Sequence, residues 1–180
     1  MRSIFSTVQS LVRPSAKPVL LPGAAIDVAG QTLEVVGQVQ NPLCLSVADL
    51  QAMPGYDWVR LTSNTCEGNP QKARKNGYRG VLLREVVLKA GLQSDDPKGW
   101  KRAYVVARAS DGYVALFSWN ELINTDVGDA VLVVYRQHSY AQTADGEPGE
   151  HLSLVSGSDC HSGARQVKWL RSIELCSIFG

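Results

Sequence analysis

Tyr104-Val105-Val106-Ala107-Arg108-Ala109-Ser110-Asp111-Gly112-Tyr113-Val114-Ala115-Leu116-Phe117 carries the reading of the fold. Two apolar, β-prone segments flank Asp111-Gly112, a dipeptide suited to a hairpin turn. Downstream, Trp119-Asn120-Glu121-Leu122-Ile123 makes a helical turn, and the apolar run Ala130-Val131-Leu132-Val133-Val134-Tyr135 reads as a buried strand. Leu152-Ser153-Leu154-Val155 and Ile173-Glu174-Leu175 are shorter strands. Upstream, residues 33–39 form a strand that Asn41-Pro42 turns. Ser46 caps a short helix over residues 47–52, which Pro54-Gly55 ends. Residues 58–63 alternate as a half-buried strand and run into the polar loop Asn64-Thr65-Cys66-Glu67-Gly68-Asn69-Pro70. A basic stretch follows at Lys72, Arg74, Lys75 and Arg79, and then residues 82–90, the best helix in the chain, closed by Gly91. Strands outnumber helices and cluster in hairpins. This predicts an α+β fold: mixed, largely antiparallel sheets with a few short helices.

The length of 180 residues suits one domain with a core of its own. Pro14, Pro18, Pro22, Gly23 and Gly30 prevent a long helix near the start, so residues 1–30 read as an N-terminal arm and 31–180 as the domain. With 18 Lys+Arg against 17 Asp+Glu the net charge is +1, which argues against nucleic acid or a membrane surface as partner. No apolar stretch is long enough to span a membrane. The N-terminus lacks the apolar middle of a leader, so the expected location is the cytoplasm, or the periplasm if a leader precedes this numbering. Cys44, Cys66, Cys160 and Cys176 form no C-x-x-C pair and are too few for a disulfide scaffold. They fit reduced thiols, one disulfide, or one thiol with a chemical role.

Two stretches carry candidate chemistry. Cys66 sits in a loop at a strand end, where scaffolds present reactive groups, and Lys72, Arg74 and Arg79 favour a thiolate there. The competing reading is a buried, inert cysteine. In Ser158-Asp159-Cys160-His161-Ser162-Gly163-Ala164-Arg165-Gln166-Val167-Lys168-Trp169, Gly163 and Ala164 admit close backbone approach, and Arg165 and Lys168 supply cations three residues apart. That pattern suits a bound anion; it equally suits a turn into an edge strand with solvated cations. From the residues alone Asp111 makes only its turn, the four tryptophans are core or rim aromatics, and Cys160-His161 is at most half a metal site.

Together these pieces resemble the molybdopterin-binding domain of the sulfite oxidase family. The similarity runs in order through residues 33–37, 41–43 and 46–50, then Leu61-Thr62-Ser63-Asn64-Thr65-Cys66-Glu67-Gly68-Asn69. It continues through Tyr78-Arg79-Gly80-Val81-Leu82-Leu83, Ala109-Ser110-Asp111-Gly112-Tyr113 and Glu121-Leu122, and closes on Gly163-Ala164-Arg165-Gln166-Val167-Lys168-Trp169-Leu170, the most specific piece. The resemblance covers about residues 30–176. It implies a pterin-dithiolene molybdenum cofactor whose metal is ligated by the Cys66 thiolate, a soft ligand beside two dithiolene sulfurs. It implies that Arg165, Gln166, Val167 and Lys168 hold the pterin and its phosphate, with Asp111 and His151 as further contacts. The activity implied is oxygen-atom or electron transfer on a small-molecule substrate, with a separate electron-transfer protein as a possible partner.

The chain also departs from the pattern. Residues 1–30 contain no Arg-Asn-His type segment, and of the His and Arg expected before the last glycine motif only His151 is present. Ser156-Gly157 replaces a Pro-Gly, and the sequence shows neither heme nor C-terminal dimerisation domain, so sulfite itself is not implied. One lost charge-assisted phosphate contact costs about 1.5–3 kcal/mol. Two other functions follow as alternatives: a degenerate member that keeps the fold as a cofactor-free binding or interaction module, and a cysteine enzyme pairing Cys66 with His161.

Overall fold

The computed structural model describes residues 13–14, 30–62, 74–139, 151–159 and 163–178. In chain order the strands are β1 (Arg13–Pro14), β2 (Thr32–Gly37), β3 (Leu43–Ser46), β4 (Tyr56–Thr62), β5 (Arg74–Leu82), β6 (Ala103–Ala109), β7 (Val114–Ser118), β8 (Val131–Ser139), β9 (Ser153–Ser156) and β10 (Leu170–Ser177). Three short helices interleave them: α1 (Val47–Ala52), α2 (Leu83–Ala90) and α3 (Trp119–Asn124). A single 3-10 turn, Gly99–Arg102, precedes β6.

Two five-stranded sheets result, ordered β1-β4-β5-β8-β9 and β3-β2-β10-β6-β7. The first is antiparallel throughout; in the second only β2 and β10 run parallel. The fold is therefore the mixed, largely antiparallel α+β arrangement that the hairpin pattern predicts.

The helices start where the sequence supplies caps. Ser46 accepts from the N–H of Asp49, whose carboxylate accepts from the Ser46 N–H, a complete capping box. Ser118 and Glu121 repeat the device at α3. Gly91 closes α2, as expected.

One core joins the inner faces of both sheets, with Leu33, Val35, Val105, Phe117, Ile173 and Leu175 from the second sheet meeting Val81, Val131, Val133 and Leu154 from the first. Leu50, Val86, Val87 and Leu122 seal it from the helices. The first sheet also has an apolar opposite face, where Tyr78, Leu82, Leu132, Val134 and Val155 cluster. Burial on both faces explains the unbroken apolar run at residues 130–135.

Two elements differ from expectation. The basic stretch around Arg74 and Arg79 begins β5, a nine-residue interior strand; Gly77 and Gly80 mask its alternation. Residues 173–175 belong to the eight-residue β10, which is the middle strand of its sheet and not an edge.

Candidate functional site

Strand pairing brings the Asp111 turn beside the second candidate stretch. Leu170 of β10 lies opposite Ala109 of β6, so the turn leaving β6 sits beside the loop entering β10. In the turn, the Ala109 N–H donates to the Tyr113 carbonyl at 2.9 Å, and the Asp111 carboxylate accepts from the Tyr113 N–H at 2.9 Å. This turn holds Gly112 at φ +91°, and the other Asp111 oxygen has no hydrogen-bond partner among the described residues.

The loop is fastened at both ends. Val167 and Leu154 exchange backbone hydrogen bonds of 2.9 and 2.8 Å, and the Leu170 N–H donates to the Leu152 carbonyl at 2.8 Å. Two bonds tie loop to turn: Ser110 N–H to the Trp169 carbonyl at 2.9 Å, and Tyr113 hydroxyl to the Ala164 carbonyl at 2.8 Å.

Arg165 braces the loop from beneath. Its Nη1 donates to Glu121 at 2.6 Å, its Nη2 and Nε donate to Asp159 at 2.5 and 3.1 Å, and its guanidinium lies 4.7 Å from the centre of the Phe117 ring. The hydrogen bonds it donates to Asp159, then the one to Glu121, raise its pKa and keep it charged. Glu121 is also the α3 capping residue, so the helix start, the 156–159 segment and the 163–169 loop converge on one cation. Arg165 is only 24% exposed, and removing it would strand two carboxylates at a cost of about 2–3 kcal/mol.

Two clefts open at this rim, sharing Trp169 as a wall. The first, about 300 Å³, is lined by Asp111, Tyr113, Gly163, Gln166, Lys168 and Trp169. The second, about 320 Å³, includes Thr32, Ser110, His151, Trp169 and Arg171. Lys168 is exposed and forms no ion pair with a described residue. The His151 and Trp169 ring centroids are 4.9 Å apart, the planes tilted by 33°. Burial, reinforced by the positive charge of Lys168, lowers the His151 pKa, so the imidazole is neutral at pH 7.

Of the expected site residues, Asp111, Gln166 and Lys168 meet in the first cleft, and His151 lies in the second. Arg165 spends its donors on Asp159 and Glu121. Val167 is fully buried, its side chain in the core and both backbone groups bonded to Leu154. Cys66, with Lys72, Cys160 and His161, lies outside the described residues. Among those described, Cys44 and Cys176 are free thiols, and no three His, Cys, Asp or Glu side chains gather as a metal site. Sequence reasoning missed Tyr113, read as a strand residue, and the special place of Trp169, whose only signal was its position beside Lys168.

The family model described as the oxidoreductase molybdopterin binding domain matches residues 21–177. The chain belongs to this family. A search of curated proteins finds no match. Among solved structures, the family fold is shared with the sulfane dehydrogenase SoxCD from Paracoccus pantotrophus, at a TM-score of 0.54 and 16% identity. The alignment covers 85% of this molybdopterin-family chain but only 40% of the SoxCD chain. No helix among the described residues is long and apolar enough to cross a membrane.

Proposed function

We propose that this chain is a molybdopterin-dependent oxidoreductase domain in which residues 163–169 hold the phosphate and pterin end of the cofactor and Cys66 ligates molybdenum. The convergence of Asp111, Gln166 and Lys168 in one cleft beside the most specific sequence motif supports this reading. The donor set fits the phosphate and ring end of the group: a lysine cation, a glutamine amide, an acceptor carboxylate for ring N–H groups, and two aromatic side chains. The backbone N–H groups of Lys168 and Trp169, which meet no acceptor among the described residues, add donors for a phosphate.

When bound, the group supplies oxygen-atom transfer and two-electron redox chemistry at its metal. The chain's own residues bind and orient. Lys168 neutralises the phosphate, Gln166 and the second Asp111 oxygen pair with the ring edge, and Val167 anchors the loop in the core. Neutral His151 offers one donor and one acceptor without adding a second positive charge. Arg165 fixes the loop from which these groups project. A small-molecule substrate and a separate electron-transfer protein complete the proposed cycle, and the domain proper runs from residue 31 after an arm over 1–30.

One observation favours a cofactor-free binding module instead: Arg165, expected at the phosphate, is held by two carboxylates. Metal and pterin content separates the two. Protein from a molybdenum-replete host is expected to carry close to one molybdenum and one pterin per chain, and Cys66→Ser to lose the metal. Folded protein with neither, and an unchanged C66S variant, would overturn the oxidoreductase reading.

A further inference from the structure

Residues 167–170 break the rule that side chains alternate along extended chain. Val167 is buried, Lys168 and Trp169 are both exposed, and Leu170 is buried again. The break falls at Trp169, the one non-glycine residue among those described with a left-handed backbone, at φ +50°. A bulky L-residue in this region carries a cost of about 1–2 kcal/mol. It persists only where neighbours over-determine it, often where the strain serves a function. Here the Trp169 carbonyl is held by Ser110, and the flanking residues are bonded to Leu152 and Leu154. The strained residue turns two consecutive side chains, a cation and an indole, to the same open side.

The indole is 48% exposed, lines both clefts, and is backed by the His151 ring. We propose that Trp169 is the stacking platform for the planar ring of the ligand whose phosphate Lys168 receives, making it the residue that selects a pterin over a bare phosphate ester. This deepens the cofactor reading and rests on it. An aromatic face held rigidly beside a cation recognises a flat heteroaromatic ring with an anionic tail, because stacking and charge act at opposite ends of the same molecule.

The test is titration of the cofactor-free full chain with neopterin monophosphate, with inorganic phosphate and GMP in parallel arms, following tryptophan emission and heat. Trp169→Leu is expected to weaken pterin phosphate binding about tenfold while leaving inorganic phosphate unchanged. Lys168→Met should weaken both. Trp169→Phe keeps a ring, so affinity should stay near wild type while the quenching of tryptophan emission drops. This variant decides the matter if W169L does not fold. Wild-type affinity for pterin phosphate in W169L, or undiminished quenching in W169F, would overturn the platform and leave the cofactor reading standing. GMP, also a flat heteroaromatic ring with an anionic tail, should bind and be weakened by W169L, whereas inorganic phosphate binding as tightly as the pterin phosphate would overturn the selectivity. A wild-type chain that binds no pterin, and carries none from a replete host, would instead overturn the cofactor reading.

Discussion

At the scale of single residues, His151 is where pH acts on this site. Its folded pKa lies below the ordinary 6.5, chiefly through burial and secondarily through Lys168. The unfolded chain therefore takes up a proton at a pH where the folded chain does not, and stability falls with acid. The contribution is fully present above about pH 6.5, declines as pH drops toward the folded value, and is constant below it. In His151→Gln, which cannot titrate, this segment of the stability curve should vanish. Urea midpoints at pH 7.5 and 5.5 check it; a variant curve parallel to wild type would refute it. What was legible from sequence here depends on near neighbours, as with Asp111, whose carboxylate makes its turn. Arg165 was not, because Glu121 stands 44 positions away and no local pattern announces that it will share a cation with Asp159.

At the scale of elements, Gly80 is a close-approach position in β5. A Cβ added there would meet the backbone carbonyl of Val133 on β8 and the Val134 Cα, neither of which can rotate away. The register shift between Arg79 and Gly80 lies at the same point. Gly80→Ala should lower stability by about 2–3 kcal/mol in urea unfolding. Gly112→Ala, at φ +91° but with open space around its Cβ, should cost about 1 kcal/mol. Equal effects would contradict the packing argument. These glycines also explain what was unreadable. Strands such as β7, with one face buried and the other exposed, declare themselves by alternation, and α1 declares itself by its cap. β5 carries glycine where side chains would show its period, so only its basic charge stood out.

At the scale of the whole molecule, the shared core couples the two sheets, since residues of both lie in one buried cluster. Unfolding should therefore be a single transition, with far-UV and tryptophan signals giving the same urea midpoint. Leu175→Ala, in the middle strand of the second sheet and fully buried, should cost about 2–5 kcal/mol of stability and lower both urea midpoints together. A split between the probes would mean two independent units. The fold class was legible because hairpin spacing and the scarcity of helices are properties of the whole chain; the sheet order was not, because β2 and β10 lie far apart in sequence.

The position of β10 also sets a timetable for synthesis. β2 and β6 have no ladder with each other and meet only through β10, which follows both along the chain. As the ribosome extends the polypeptide, half of one sheet waits without its partner until residues 170–177 emerge. Those same residues come directly after the loop bearing Lys168 and Trp169. The proposed binding rim and the last sheet are thus finished in one late event, and the cofactor capture proposed above would follow it.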